Sequence, residues 1–260
     1  MISSTSNSQI KNIVKLLKSS KARKEQRVFI VEGIKMFLEA KQLGLVEKAY
    51  ISEELYERWR EGEELEGVSY EVVSVKVFKE ITDTMTPQGI IALVRMHNIS
   101  LEDMLKGEEI RLVCLENLRD PGNLGTIVRT AEGAGMTGII LSRESVDIYN
   151  PKVVRSTMGS IFRMPFVYVE DLIEAMKGAQ QAGVVFYATH LKGQKFYDEI
   201  QYEGKVGIVI GNEANGITDE TADQADCYVK IPMCGQVESL NAAVATSVMM
   251  YEIYRQYRLK

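Results

Sequence analysis

Histidine and cysteine are scarce in this chain, and their scarcity excludes more than any other feature of its composition. The two histidines, His97 and His190, stand far apart, and the three cysteines, Cys114, Cys227 and Cys234, are odd in number and lack CxxC spacing. Neither a disulfide framework nor a zinc site is written here, so no metal is expected and a reducing, cytoplasmic setting is. His97 reads as an exposed loop residue, because no cluster of metal ligands accompanies it. The polar opening MISSTSNSQIKN has no signal-peptide pattern, and no apolar run approaches a membrane span. Also missing are a GxxxxGKS or GxxxxGKT phosphate loop and a GxGxxG turn after the first strand of the second half, which makes a nucleotidase or a nicotinamide oxidoreductase a poor reading.

What is present is an ordinary globular composition, 45% hydrophobic and 26% charged with only five prolines, in a length that allows one large domain or two of usual size. The net charge of −5 argues weakly against nucleic acid until its distribution is considered. Residues 1–30 carry seven basic side chains and one acid, so this stretch is +6 and the rest of the chain −11. A basic arm on an acidic body suits a phosphate backbone, and Lys11, Lys15, Lys21 and Arg23 are its candidate contacts; a solvated helix face accounts for the stretch equally well.

Apolar spacing through Ile10, Ile13, Val14 and Leu17 predicts a helix over 6–20, followed by the strand RVFIVEG. Short alternations continue to a strand at Ile90–Arg95 and predict an α/β domain over 1–95. The polar stretch Met96–Glu109 reads as a linker to a second domain, 110–260. There, strand-like runs at Arg111–Glu116, Gly138–Ser142, Phe166–Val169, Val184–Thr189, Val206–Ile210 and Cys227–Ile231 alternate with helical stretches, the pattern of a parallel sheet covered on both faces. Such sheets bind ligands beyond the carboxyl ends of their strands.

Three stretches at such ends hold the chemistry. In LENLRDPGNLGTIVRTAEGAG, Asp120-Pro121-Gly122 signals a turn and Asn123 a helix cap, with Arg129 about one and a half turns into the helix. In VGIVIGNEANGI, Gly211 lets bare backbone approach a ligand and Glu213 is a lone acid at a loop tip. In KIPMCGQVESLN, Pro232 ends a strand, Gly235 loosens the loop, and Ser239 is placed to cap the last helix. A further helix is announced by NPKVVRS, with Asn150 as cap, Pro151 in its first turn and Arg155 as a candidate phosphate contact.

NLRDPGNLGTIVRTAE, IVIGNEANGI and IPMCGQVESLNAAVAT together resemble the three motifs of the SpoU/TrmH family of RNA ribose 2′-O-methyltransferases, of the SPOUT class. They span Leu115 to Tyr251. The first domain more loosely resembles the ribosomal-protein-like substrate-binding domain that many of these enzymes carry. The resemblance implies an α/β fold whose carboxyl-terminal segment threads a deep trefoil knot, an exception to the general absence of knots. It implies S-adenosylmethionine as cofactor, bent between the second and third stretches, with Gly211, Ile231 and Leu240 in contact and Thr189 and Met233 nearby. Asn123, Arg129, Glu213, Ser239 and Asn241 fall on its active-site positions. RNA is the implied substrate, ribosomal by analogy with enzymes carrying a separate binding domain; the alternatives are transfer RNA and a non-catalytic RNA-binding protein on the same fold.

Glu213 is expected to position Arg129 or Asn123. The last helix is apolar on two sides. Leu240, Val244, Val248 and Tyr251 are expected to pack on the sheet, which leaves Ala242, Ala245, Met249 and Ile253 to cover a second copy of the chain. The resemblance likewise implies a homodimer through this helix.

Overall fold

The structure is a computed structural model that describes every residue except Asp83, His97, Asn98 and Lys260; the expectation for His97 lies outside the described residues. The chain divides into two compact units, Met1–His97 with Asp147–Phe162, and Asn98–Val146 with Arg163–Lys260.

The first unit opens with two helices where one was expected, α1 (Ser8–Lys18) and α2 (Ser20–Gln26). Ser19 separates them: its extended backbone stops α1, and its hydroxyl accepts from Ala22 N to cap α2. The sheet follows as β1 (Val28–Glu32), α3 (Ile34–Gln42), β2 (Val46–Ser52), α4 (Glu53–Trp59), β3 (Tyr70–Val73), α5 (Val75–Ile81) and β4 (Ile90–Arg95), in strand order β1-β4-β2-β3. β4 is antiparallel to both neighbours and β3 is parallel to β2. Ile10, Ile13 and Leu16 of α1 are buried with Phe78 and Ile81 of α5 in one core.

The second unit begins inside the expected linker. α6 (Leu101–Met104) lies there, and Met104 is buried with Leu112, Ile140 and Phe186, so part of Met96–Glu109 is core rather than tether. Its polar character misled because only one side of a single helical turn is apolar. β5 (Arg111–Leu115), α7 (Pro121–Gly133) and β6 (Gly138–Ser142) come next.

The chain then makes an excursion: α8 (Pro151–Ser156) and the 3-10 turn Ser160–Phe162 belong to the first unit, although the sequence places them in the middle of the second domain. Phe29 of β1 packs its ring, tilted, against Tyr149 (ring centroids 4.6 Å apart) and Phe162 (6.3 Å). Arg23, proposed from sequence as an RNA contact, is 3% exposed and pairs with Asp147 at 2.6 Å while donating to Leu16 O. A basic residue in a basic stretch has here become a buried ion pair holding the excursion.

Back in the second unit, β7 (Phe166–Val169), α9 (Leu172–Gln181), β8 (Val184–Thr189), β9 (Lys195–Phe196), β10 (Lys205–Ile210), α10 (Asp219–Asp223), β11 (Cys227–Lys230) and α11 (Ala242–Arg258) complete the chain. The seven strands run in the order β7-β6-β5-β10-β8-β11-β9, with every pairing parallel. β10 inserts between β5 and β8, so the order reverses there, and a reversal opens a crevice at the carboxyl ends. α11 packs on α7.

Candidate active site

The three motif stretches meet at those carboxyl ends. A cavity of about 330 Å³ lies between the loop Gly211–Ile217 and the segment 231–240, and it reaches β8 and β11. That volume is at the lower end for small-molecule sites. All five expected cofactor residues, Thr189, Gly211, Ile231, Met233 and Leu240, line it, as do Glu213 and Ser239.

Gly211 is required by space. A Cβ built there would lie within 3.0 Å of Gly216 C, Gly216 O and Ile217 N, because the loop folds back over it. The fold-back is closed by two backbone bonds, Asn212 N to Gly216 O and Gly216 N to Asn212 O, each 2.9 Å. Asn212 also donates its side-chain amide to Asn117 O at 2.7 Å. Asn117, at φ 53, follows the end of β5 and fastens this loop to the first motif. On the other side Glu116, 7% exposed, accepts from Thr218 N (2.8 Å), Thr218 Oγ1 (2.7 Å) and Thr221 Oγ1 (2.6 Å), fixing the start of α10. Segment 231–240 forms neither helix nor strand, which leaves its amides and carbonyls outside any ladder and available to a ligand, whereas the Asn241 carbonyl already accepts from Ala245 N at 2.9 Å.

Glu213 is no free acid. Its carboxylate accepts from Arg119 N (3.2 Å), Asp120 N (3.0 Å) and Asn123 Nδ2 (2.9 Å). Partial burial raises its pKa, but the bonds from Asn123, the Asp120 amide, its own amide and the Arg119 amide outweigh that and hold it below the usual carboxylate range. Asn123 in turn accepts from Asn241 Nδ2 at 3.0 Å, and Asn241 Oδ1 accepts from Ala243 N and Val244 N. One hydrogen-bonded line therefore joins the second motif, α7 and the start of α11.

Two expected caps shift. Asp120 caps α7, accepting from Asn123 N at 2.8 Å with Pro121 in the first turn, and Asn241 rather than Ser239 caps α11. Asp120-Pro121 and Asn241 satisfy the orphan amides with the shortest reach, freeing Asn123 and Ser239 to face other groups. Because α7 starts at Pro121, Arg129 sits more than two turns in. It is exposed, lies off the cavity wall, and has no hydrogen bond or ion pair among the described residues. Arg155 is half-buried in the first unit, beside Leu17, Glu32 and Met36. Lys11, Lys15 and Lys21 are exposed, and Lys21 is 3.8 Å from Glu25.

Sequence reading missed Glu116, Asn117, Asn212 and His190. His190 lines the cavity, with its ring 5.1 Å from Tyr228 and its Nδ1 accepting from Lys192 N at 3.1 Å. The signal for the first three was available, since polar residues at the end of a buried strand must be partnered. Among the described residues no group of three His, Cys, Asp or Glu side chains is placed to hold a metal.

A parallel sheet with a cavity at its order reversal, walled by a loop folded back over Gly211, is the arrangement that the motif resemblance implies for a methyltransferase's cofactor site. The chain belongs to the SpoU rRNA Methylase family, whose sequence profile matches residues 111–251, and the profile of the MRM3-like substrate binding domain matches residues 7–92. The chain is 32% identical to the 23S rRNA (guanosine(2553)-2′-O)-methyltransferase RlmP of Bacillus subtilis (strain 168), over 97% of this chain and 98% of that one. It is 29% identical to the mitochondrial rRNA methyltransferase 3 of Homo sapiens, covering 96% and 73%. Among solved structures, the AdoMet-bound rRNA methyltransferase from Sinorhizobium meliloti superposes with a TM-score of 0.87 at 35% identity, covering 98% of this chain and 97% of that one. The SpoU methyltransferase AviRb from Streptomyces viridochromogenes in complex with AdoMet gives 0.87 at 28%, covering 98% and 100%.

Proposed function

We propose that this protein methylates a ribose 2′-hydroxyl of ribosomal RNA with S-adenosylmethionine as cofactor. The observation that carries the reading is one cavity lined by the second and third motifs, to which the first motif is tied by the Glu213–Asn123–Asn241 line. The residues present suit the cofactor: backbone without side chain at Gly211, apolar walls at Ile231 and Leu240, and unladdered amides over 231–240. When bound, S-adenosylmethionine supplies an electrophilic methyl group, so the protein has to orient the hydroxyl, ease its deprotonation and exclude water.

Arg129 is the cation for this task. A guanidinium is a poor base, so its role is to hold the phosphate next to the reacting ribose and to stabilise developing negative charge on the 2′-oxygen. Asn123, held by Glu213 and Asn241, presents a fixed amide, and Ser239 lines the cavity with its hydroxyl. Glu213 acts by positioning Asn123, and its bonds to the Arg119 and Asp120 amides keep it ionised without a cation.

Four finer assignments belong to the same reading. The carboxyl-terminal chain passes through a trefoil knot, supported by the insertion of β10 between β5 and β8 and by the likeness to SpoU structures. The first unit, with its exposed lysines, grips the RNA, and the protein works in the cytoplasm. The enzyme is a homodimer through α11, but by the opposite face from the one expected: Met249 and Ile253 are 0% exposed, whereas Val244 and Tyr251 are 49% and Tyr254 37% exposed. The face that packs on α7 runs through Ala243, Thr246, Met249, Met250 and Ile253, so of the stripe expected to meet a second copy Met249 and Ile253 are buried within the chain and Ala242 and Ala245 line the cavity.

The test is transfer of labelled methyl from S-adenosylmethionine to unmodified ribosomal RNA, with the product nucleotide mapped by mass spectrometry. Arg129→Ala is expected to lose at least a hundred-fold in turnover with cofactor affinity within a few-fold. Near-normal turnover in that variant removes Arg129 from the mechanism, and no transfer by the wild type to any RNA refutes the function.

A further inference from the structure

The matched substrate-binding region ends at residue 92, yet the first unit is not complete without Asp147–Phe162. Between α1, the end of α5 and the start of α8 lies a groove of about 280 Å³ whose walls come from both stretches. Its apolar floor is Val14, Leu17 and Pro151; Lys18 and Lys152 stand on its rim, with Glu80, Thr82 and Asn150. We infer that this composite groove receives an unpaired nucleotide of the substrate RNA, base inward, so that residues 150–152 are part of the RNA-binding surface. The inference rests on the RNA methyltransferase reading above.

The chemistry of the lining chooses the ligand. An apolar floor flanked by cations suits a base stacked on aliphatic carbon with its phosphates at the lysines. Glu80, the one carboxylate among the lining residues, is exposed on the α5 side of the rim, where it would repel a phosphate and so leaves the phosphates to Lys18 and Lys152, while its oxygens can accept from a base amino group. Asn150 spends its Oδ1 on capping α8, accepting from Lys152 N at 2.9 Å, and its amide N–H groups have no partner among the described residues. They are donors that the protein leaves for a ligand edge.

A polymer rather than a free nucleotide is indicated by what leads to the groove. Lys11, Lys15 and Lys18 follow one another at helical spacings of four and three, so they form one stripe on α1 about 10 Å long. All three are exposed, as is Lys152, and none of the four amino groups has a hydrogen bond or ion pair among the described residues. A row of unneutralised lysines ending at a base-sized groove matches successive phosphates of a strand. The excursion that supplies Asn150 to Lys152 is anchored by the Arg23–Asp147 pair and by Phe29 on Tyr149, so the groove wall is fixed before RNA arrives.

The experiment compares the full-length wild type with Lys18→Ala/Lys152→Ala. Fluorescence anisotropy would measure affinity for a labelled single-stranded ribo-oligonucleotide, and for a hairpin duplex of the same length, over a series of salt concentrations. Removing two phosphate contacts should weaken single-strand binding at least ten-fold and reduce the log–log salt slope by about 1.4. Duplex binding should change less, and S-adenosylmethionine affinity should not change. In parallel, a 4-thiouridine strand cross-linked to the wild type should yield adducts on peptides containing 14–18 or 150–152. Unchanged single-strand affinity and slope in the double variant, or adducts confined to other segments, overturns the groove while leaving the function standing if the wild type still methylates RNA. A wild type that binds no RNA overturns both.

Discussion

Gly211→Ala tests the cavity most directly, because the added atom is one methyl group and its surroundings are all backbone. The new Cβ would lie within 3.0 Å of Gly216 C, Gly216 O and Ile217 N, where ordinary contact begins near 3.4 Å, and none of the three is the end of a flexible side chain. The loop must therefore move as a unit, and the pair of 2.9 Å bonds between Asn212 and Gly216 is the part that gives. Two hydrogen bonds at about 1 kcal/mol each put the cost near 2 kcal/mol. Charged entirely to ligand binding, that is about a thirty-fold rise in the dissociation constant of S-adenosylmethionine. Charged entirely to folding, it lowers Tm by about 4–8 °C in a domain of this size. Isothermal titration with the cofactor and a thermal melt, run on the same protein, divide the cost between the two. RNA affinity should stay within two-fold, since the change lies in the second unit. Cofactor affinity within two-fold of wild type together with an unshifted Tm would refute the idea that the fold-back over Gly211 shapes the site.

Further expectations follow from the same geometry. Glu213→Gln leaves an amide that can satisfy Asp120 N and Asn123 with its oxygen but turns an N–H toward Arg119 N, so kcat should fall at least ten-fold at pH 7 with the cofactor dissociation constant nearly unchanged. Because the folded pKa of Glu213 is depressed, its stabilising contribution is fully present above the unfolded value of about 4.3 and is lost as pH falls through the lower folded value; the acid limb of wild-type pH melts, to which Glu71, Asp103, Asp219 and Glu252 also contribute, should be shallower in Glu213→Gln. Tyr251→Asp should shift light-scattering mass from dimer to monomer while the protein stays folded, whereas Met249→Asp, placing charge at a site with 0% exposure, should unfold it; an active, well-folded monomer from the wild type would end the dimer proposal. Deleting residues 1–95 should give a chain that binds hydrophobic dye and aggregates, because Tyr149, Val153, Val154 and Phe162 lose their cover, and a soluble, dye-silent product would contradict the excursion's dependence on β1.

The strands were legible because a buried parallel strand announces itself as an unbroken apolar run, and Gly138–Ser142, Phe166–Val169 and Val184–Thr189 have the bounds their residues suggested. The two residues of β9 carry no such run, and α6 is a single turn whose burial is visible only through Met104. In the site, Gly211 was readable because its residue type alone marks a close approach of backbone, whereas the polar residues at strand ends, Glu116, Asn117 and Asn212, were passed over. Residues that act through reach were not readable either. Asn123 and Ser239 have the side chains of caps, but Asp120, three residues before Asn123, and Asn241, two residues after Ser239, are the ones that directly precede their helices. Val244 and Met249 are equally apolar on paper, and only the helix against which α11 lies decides between them. Arg23 shows the limit most plainly, since its partner is 124 positions away.

The excursion of Asp147–Phe162 also sets a schedule for synthesis. β4 ends at Arg95, so every strand of the first sheet has been made while Tyr149 and Phe162, which cover Phe29, are still to be added. At about 5–20 residues per second, the roughly 67 residues between Arg95 and Phe162 take on the order of 3–13 s. For that interval the nascent sheet exposes an aromatic side chain, and Arg23 lacks the carboxylate that neutralises it. A contiguous domain can finish folding as it leaves the ribosome; this one must wait for a stretch encoded inside the next, and the waiting form is the species that chaperones or misassociation would meet first.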